Sequence, residues 1–135
     1  MPKKTLIIDT SIQSHQAYKK MLSRYDCEVI AALDGEAGLY QLMRNPGVNL
    51  LIIDMNLPHM SGMEFIKRVQ RFETKHHIPI IAIISDDGHC STGEVSKHGV
   101  LMKPFTSKEF HSVITKSFLL DQSTNVPDYR SLNAA

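Results

Sequence analysis

Four polar residues each close a short apolar run: Asp9 after TLII, Asp54 after LLII, Ser85 after IIAII and Lys103 after VLM. Unbroken Leu/Ile runs of this length read as strands buried on both faces of a parallel sheet. Their last residues then stand at the carboxyl edge, where open α/β sheets place their chemistry. Two carboxylates brought together there repel one another unless a cation lies between them. That points to a hard divalent ion such as Mg2+, which takes a few protein oxygens and keeps several waters. A lysine and a hydroxyl beside the pair would meet an incoming phosphoryl group. Cation, ammonium and a positioned carboxylate nucleophile are what phosphoryl transfer to a side chain requires. Taken singly, a strand-end aspartate also serves as a turn or helix-cap residue.

The elements that must position these residues follow from periodicity. Apolar runs alternate with helical patterns, the signature of βαβ units and a parallel sheet. The first strand is Thr5–Asp9, followed by a helix from Ser11 to Tyr25 on which Tyr18, Met21, Leu22 and Tyr25 share one face. Thr10 and Ser11 are its N-cap candidates. Cys27–Ala32 is the second strand; Asp34-Gly35 turns into a helix carrying Leu39, Leu42 and Met43, which Asn45-Pro46-Gly47 ends. The third strand, Leu50–Met55, precedes a helix opened by Ser61 with Glu64 in capping-box spacing and Phe65, Ile66, Val69 and Phe72 on its apolar face. Ile78–Ile84 and Val100–Met102 are the fourth and fifth strands. The last helix starts at Thr106, pairs it with Glu109, and buries Phe110, Val113, Ile114 and Phe118.

Between the fourth and fifth strands the pattern fades. Asp86–Gly99 offers only Cys90 and Val95 as clear apolar residues and contains Gly88 and Gly93. Each interior glycine costs a helix about 1 kcal/mol relative to alanine. The expectation is a fourth helix that is short, degraded or missing. Gln122–Ala135 is polar and aperiodic, so the chain divides into one domain over 1–120 and a tail or linker over 121–135.

Bulk properties narrow the function classes. The 135 residues suit one domain with a real core, and a net charge of +1 with no basic block gives no reason to expect direct nucleic-acid binding or an acidic membrane surface. Cys27 and Cys90 stand far apart with no CxxC spacing, so neither a disulfide framework nor a zinc site is suggested. No apolar run suits a signal peptide or a membrane span, and a cytoplasmic location is expected. The seven histidines fall in no HExxH or Cys/His cluster and are read as solvated surface. The methionines are read as core or edge packing.

LIID at the first strand, IIDMNLPHMSG around the third, AIIS at the fourth and Lys103-Pro104-Phe105 occur in this order and spacing. Together they make the chain resemble a response regulator receiver domain of two-component signalling, over residues 1 to about 120. The resemblance implies a flavodoxin-like, doubly wound α/β fold with a five-stranded parallel sheet in the order 2-1-3-4-5. It implies that Asp54 is the phosphoacceptor and that Asp9, Asp54 and the Asn56 backbone carbonyl bind Mg2+. Ser85 and Lys103 become the switch hydroxyl and its partner cation, with the Lys103-Pro104 bond cis. Asn56 and Asp87 match variable positions that tune dephosphorylation. Implied partners are a sensor histidine kinase or phosphotransfer protein and a downstream protein effector. The domain would help catalyse its own modification without turning over an external substrate.

The chain departs from the family pattern at three places. Thr10 stands where an acidic residue usually contacts the metal directly, which predicts weak Mg2+ binding. The loop before Lys103 is short, with Val100 in place of the usual switch aromatic. The expected fourth helix is eroded. These departures motivate an alternative, a phosphorylation-independent pseudo-receiver acting as a protein-interaction module. A flavodoxin-like nucleotide or flavin binder has little support, since DTSIQ lacks a glycine-rich phosphate cradle. A haloacid-dehalogenase-type phosphatase would want a second Asp where Ser11 stands.

Overall fold

In the computed structural model the described residues are 3–71, 78–85 and 99–123. They form β1 (Lys3–Ile8), α1 (Ile12–Leu22), β2 (Cys27–Ala32), α2 (Gly35–Arg44), β3 (Leu50–Asp54), α3 (Gly62–Gln70), β4 (Ile80–Ser85), β5 (Val100–Lys103) and α4 (Ser107–Ser123). All strand pairs are parallel, and the sheet order is β2-β1-β3-β4-β5. The flavodoxin-like expectation is met. The helix expected to be degraded lies between β4 and β5, outside the described residues, as do Asp87 and the Phe72 end of the α3 stripe.

Alternation along the strands explains the two layers. Leu6, Ile8, Leu51, Ile53, Ala82 and Ile84 face one side, where Leu42 of α2 and Phe65, Ile66 and Val69 of α3 cover them. Ile7, Leu50, Ile52, Ile81, Ile83 and Leu101 face the other, covered by Tyr18 and Leu22 of α1 and Phe110 and Ile114 of α4. Burial on both faces is why these strands are Leu/Ile runs rather than alternating ones. Not every repeat position is inward. Met43 and Met102 are exposed, so the reading of the methionines as mostly packing does not extend to these two.

Helix starts follow their side-chain caps. Of the two candidates before α1, Ser11 is the cap: its Oγ accepts the Ser14 N–H, while Thr10 is exposed. Asp34 caps α2 by accepting the Ala37 N–H at 2.8 Å, and Ser61 caps α3 by accepting from Glu64. Thr106 and Glu109 exchange bonds at 3.0 Å in a reciprocal capping box at the start of α4. The last helix runs to Ser123, into the segment set apart as a tail.

The β3–α3 connection is tight. Met60 N–H donates to the Pro58 carbonyl at 2.7 Å, and His59 between them has φ 67°. This γ-turn is followed by Gly62, where a Cβ would stand 2.7 Å from the Met55 backbone. Glycine is needed there so that the incoming helix can close on the end of β3.

Candidate functional site at the carboxyl edge of the sheet

Register brings the strand-end residues together. Ile8 pairs with Ile53, so Asp9 and Asp54 leave adjacent strands side by side, and Ser85 pairs with Lys103 across β4 and β5. Lys103 Nζ lies 3.1 Å from Asp54 Oδ2 and 3.4 Å from Asp9 Oδ2. One ammonium therefore bridges both carboxylates. Asp9 is 1% exposed, Asp54 14% and Lys103 34%. The pair is closed from below and open only along its rim.

The remaining oxygens are also held. Asp9 Oδ1 accepts the Ser11 N–H at 2.8 Å, and Asp54 Oδ1 accepts the Asn56 N–H at 2.9 Å. The Tyr18 hydroxyl reaches Asp9 Oδ2 in a long contact of 3.5 Å. Partial burial pulls the Lys103 ammonium down. The hydrogen bond and charge of Asp54, then those of Asp9, outweigh it and leave the group above the ordinary lysine value. A charge 4 Å away contributes about 4 kcal/mol at an effective dielectric of 20. Two such neighbours readily exceed the desolvation of a half-buried amine. The Tyr18 phenol is pushed up, by burial first and then by the charges of Asp9 and Asp54.

Asp9, Asp54, Asn56, Ser85 and Lys103 all lie on this edge, with half-buried Ser85 in line with Lys103 and exposed Asn56 just past Asp54, while Asp87 falls outside the described residues. The Lys103-Pro104 bond is cis, as the resemblance implied. The sequence reading missed two members on α1. His15, expected on the solvated surface, is 6% exposed, with Nε2 2.8 Å from the Asp9 carbonyl oxygen and 3.1 Å from that of Ala32. Tyr18 was assigned to the core alone. The signal available was their i, i+3 spacing on a helix beginning three residues after Asp9. His111 also departs from the solvated expectation, being half-buried with Nδ1 2.9 Å from the Tyr25 hydroxyl. A separate groove lined by Asp34, Glu36, Pro58, His59, Met60, Glu64 and Arg68 shares no residue with the carboxylate pair.

As a host for Mg2+, the edge offers two carboxylates, the Asn56 carbonyl and the Thr10 hydroxyl. Among the described residues no group of three or more His, Cys, Asp or Glu is arranged to hold a metal. This sparse set still suits Mg2+, which typically binds through one or two carboxylates and completes its shell with water and phosphate oxygens. No described helix is long and apolar enough to cross a membrane.

A doubly wound parallel sheet with two carboxylates and a lysine gathered at its carboxyl edge defines a class, the flavodoxin-like domains with an acidic edge site. Comparison with known proteins identifies the family within it. The response regulator receiver domain profile matches residues 5–115, so the chain belongs to that CheY-like family and to two-component phosphorelay signalling. It is 34% identical to the chemotaxis protein CheY1 of Helicobacter pylori, over 76% of this chain and 86% of that one. It is 28% identical to the transcription factor prr1 of Schizosaccharomyces pombe, over 96% of this chain but 25% of that protein. The chemotaxis protein CheY4 of Vibrio cholerae superposes with a TM-score of 0.76 at 26% identity, covering 87% of this chain and 99% of that structure. Receiver domains of this family generally bind Mg2+ and interact with histidine kinases and downstream effectors.

Proposed function

We propose that residues 1–120 form a receiver that takes a phosphoryl group at Asp54 from a phosphohistidine on a sensor histidine kinase or phosphotransfer protein. Residues 121–135 are its tail or linker. The observation carrying this reading is the Lys103 ammonium set between Asp54 and Asp9. An Asp54 carboxylate oxygen attacks phosphorus, the P–N bond breaks as the P–O bond forms, and the departing imidazole keeps the electron pair and is protonated. Lys103 neutralises phosphoryl oxygens as the charge arrives, and Ser85 then bonds the phosphoryl group and shifts the edge. Asp9, Asp54 and the Asn56 carbonyl would hold Mg2+, weakly because Thr10 supplies no charge. When bound, the ion offsets phosphoryl charge. The resulting change in shape is read by a protein effector in the cytoplasm, without direct nucleic-acid or membrane binding and without an external substrate to turn over.

Intact-mass analysis after incubation with acetyl phosphate, with and without Mg2+, tests this. The expected result is an added phosphoryl mass that is lost in Asp54→Asn. A specific observation favours a second reading, a phosphorylation-independent pseudo-receiver: Thr10, exposed at the rim, carries no carboxylate. Absence of any adduct from the folded protein, with both acetyl phosphate and a cognate kinase, would replace the first reading with the second.

A further inference from the structure

Helix α1 begins three residues after Asp9, and its inward face passes beside that aspartate. Two residues on this face, His15 and Tyr18, touch Asp9 at different atoms. We infer that they are positioning residues, forming a clamp in which His15 fixes the Asp9 backbone and Tyr18 its carboxylate, so that Asp9 is held inward on Lys103.

The His15 half rests on its donor chemistry. Both partners of Nε2 are carbonyl oxygens, which only accept, so Nε2 carries the hydrogen and shares it between Asp9 at 2.8 Å and Ala32 at 3.1 Å. These carbonyls belong to the ends of adjacent strands, and Asp9 N–H also donates to the Ala32 carbonyl at 3.1 Å. The ring thus ties the carboxyl ends of β1 and β2 to α1. Among the described residues, buried His15 Nδ1 has no hydrogen-bond partner.

The Tyr18 half rests on how its ring is fixed. It is 2% exposed and stacks on Phe105 at 6.2 Å and on Phe110 at 5.9 Å, the two phenylalanines themselves lying 6.0 Å apart. A buried ring packed into this three-ring cluster has little freedom to withdraw its hydroxyl from Asp9 Oδ2. With Ser11 N–H on Oδ1 and Lys103 on Oδ2, both Asp9 oxygens have protein donors. A cation seeking Asp9 must compete with them. The clamp thereby joins Thr10 in lowering Mg2+ affinity, a consequence that rests on the acceptor-site reading; the clamp itself does not.

Two measurements decide it. The first is a double-mutant cycle of Tyr18→Phe and Asp9→Asn, read by urea unfolding in chelator. Tyr18→Phe keeps the ring stack and removes only the hydroxyl. The expected coupling is at least about twofold in the folding equilibrium constant, the lower end for residues in contact; additive effects overturn the clamp.

The second is Mg2+ titration by calorimetry, which also serves if Asp9→Asn fails to fold. Tyr18→Phe is expected to bind Mg2+ at least about twofold more tightly than the native chain, the same coupling read from the metal side. His15→Leu should act in the same direction. His15→Gln, whose amide can donate to the same carbonyls, should remain near native. Thr10→Asp is the reference that restores a ligand. Tighter binding by Thr10→Asp with no change in Tyr18→Phe and His15→Leu overturns the clamp. No tightening by Thr10→Asp would instead count against the acceptor-site reading and leave the clamp to the cycle.

Discussion

At the scale of single residues, His59 has an outward-facing side chain and a φ of 67° inside the γ-turn after β3. An L residue in left-handed backbone carries roughly 1 kcal/mol of strain that glycine does not. His59→Gly is expected to leave the thermal midpoint unchanged or raise it, whereas His59→Val, branched at Cβ, lowers it; calorimetry distinguishes the two. Lys103 behaves oppositely, because its value lies in charge. Replacing it by Met leaves buried Asp9 facing Asp54 without an ammonium. Loss of one partner from a buried pair costs about 3–5 kcal/mol, but Lys103 is a third exposed, so screening reduces this to about 1–2 kcal/mol in urea unfolding.

At the scale of elements, the β3–α3 connection and the α4 contact are the sensitive joints. Gly62→Ala would drive a Cβ to 2.7 Å from Met55 Cα, a backbone atom that cannot swing away. A loss of about 1–3 kcal/mol is expected, as for other overpacked sites, with slower phosphoryl uptake at the proposed acceptor Asp54 because the same loop holds Asn56. Phe110→Ala removes a fully buried ring that stacks on both Tyr18 and Phe105. It should cost about 3–5 kcal/mol by denaturant titration.

These joints also show what the sequence made legible. β2 was bounded at Cys27–Ala32 by its run alone, and the capping serines and the Thr106/Glu109 box were readable because they depend on neighbours three residues away. The strand order came from family resemblance, since parallel pairing is non-local. His15 and Tyr18 were missed as site residues because only the rotation of α1 against β1 turns them onto Asp9. A histidine count carries no such information, and neither does a helical stripe. Met43 lay on an apolar repeat yet faces solvent, because Gly35, Gly38 and Leu42 are the residues of α2 that turn inward.

At the scale of the whole molecule, stability should depend on alkaline pH through two groups at this edge. Lys103 and Tyr18 both have folded-state values raised above their ordinary 10.5 and 10.0. A raised value means that the folded chain holds the proton more tightly than the unfolded one. The resulting stabilisation is fully present below about pH 10 and fades as pH climbs through the folded-state values. Urea midpoints measured from pH 8 to 11 should therefore fall at the upper end. Lys103→Met and Tyr18→Phe should each make that fall shallower.

The aromatic stack has a further consequence, in optics. The chain has four tyrosines and no tryptophan, so tyrosine emission is not masked by a brighter fluorophore. The Tyr18 hydroxyl lies against a carboxylate, and its ring is buried in a three-ring cluster that water scarcely reaches. Displacing Asp9 would alter the excited-state neighbour of that phenol. The protein thus carries a native fluorescent reporter beside its acidic edge, readable without a label.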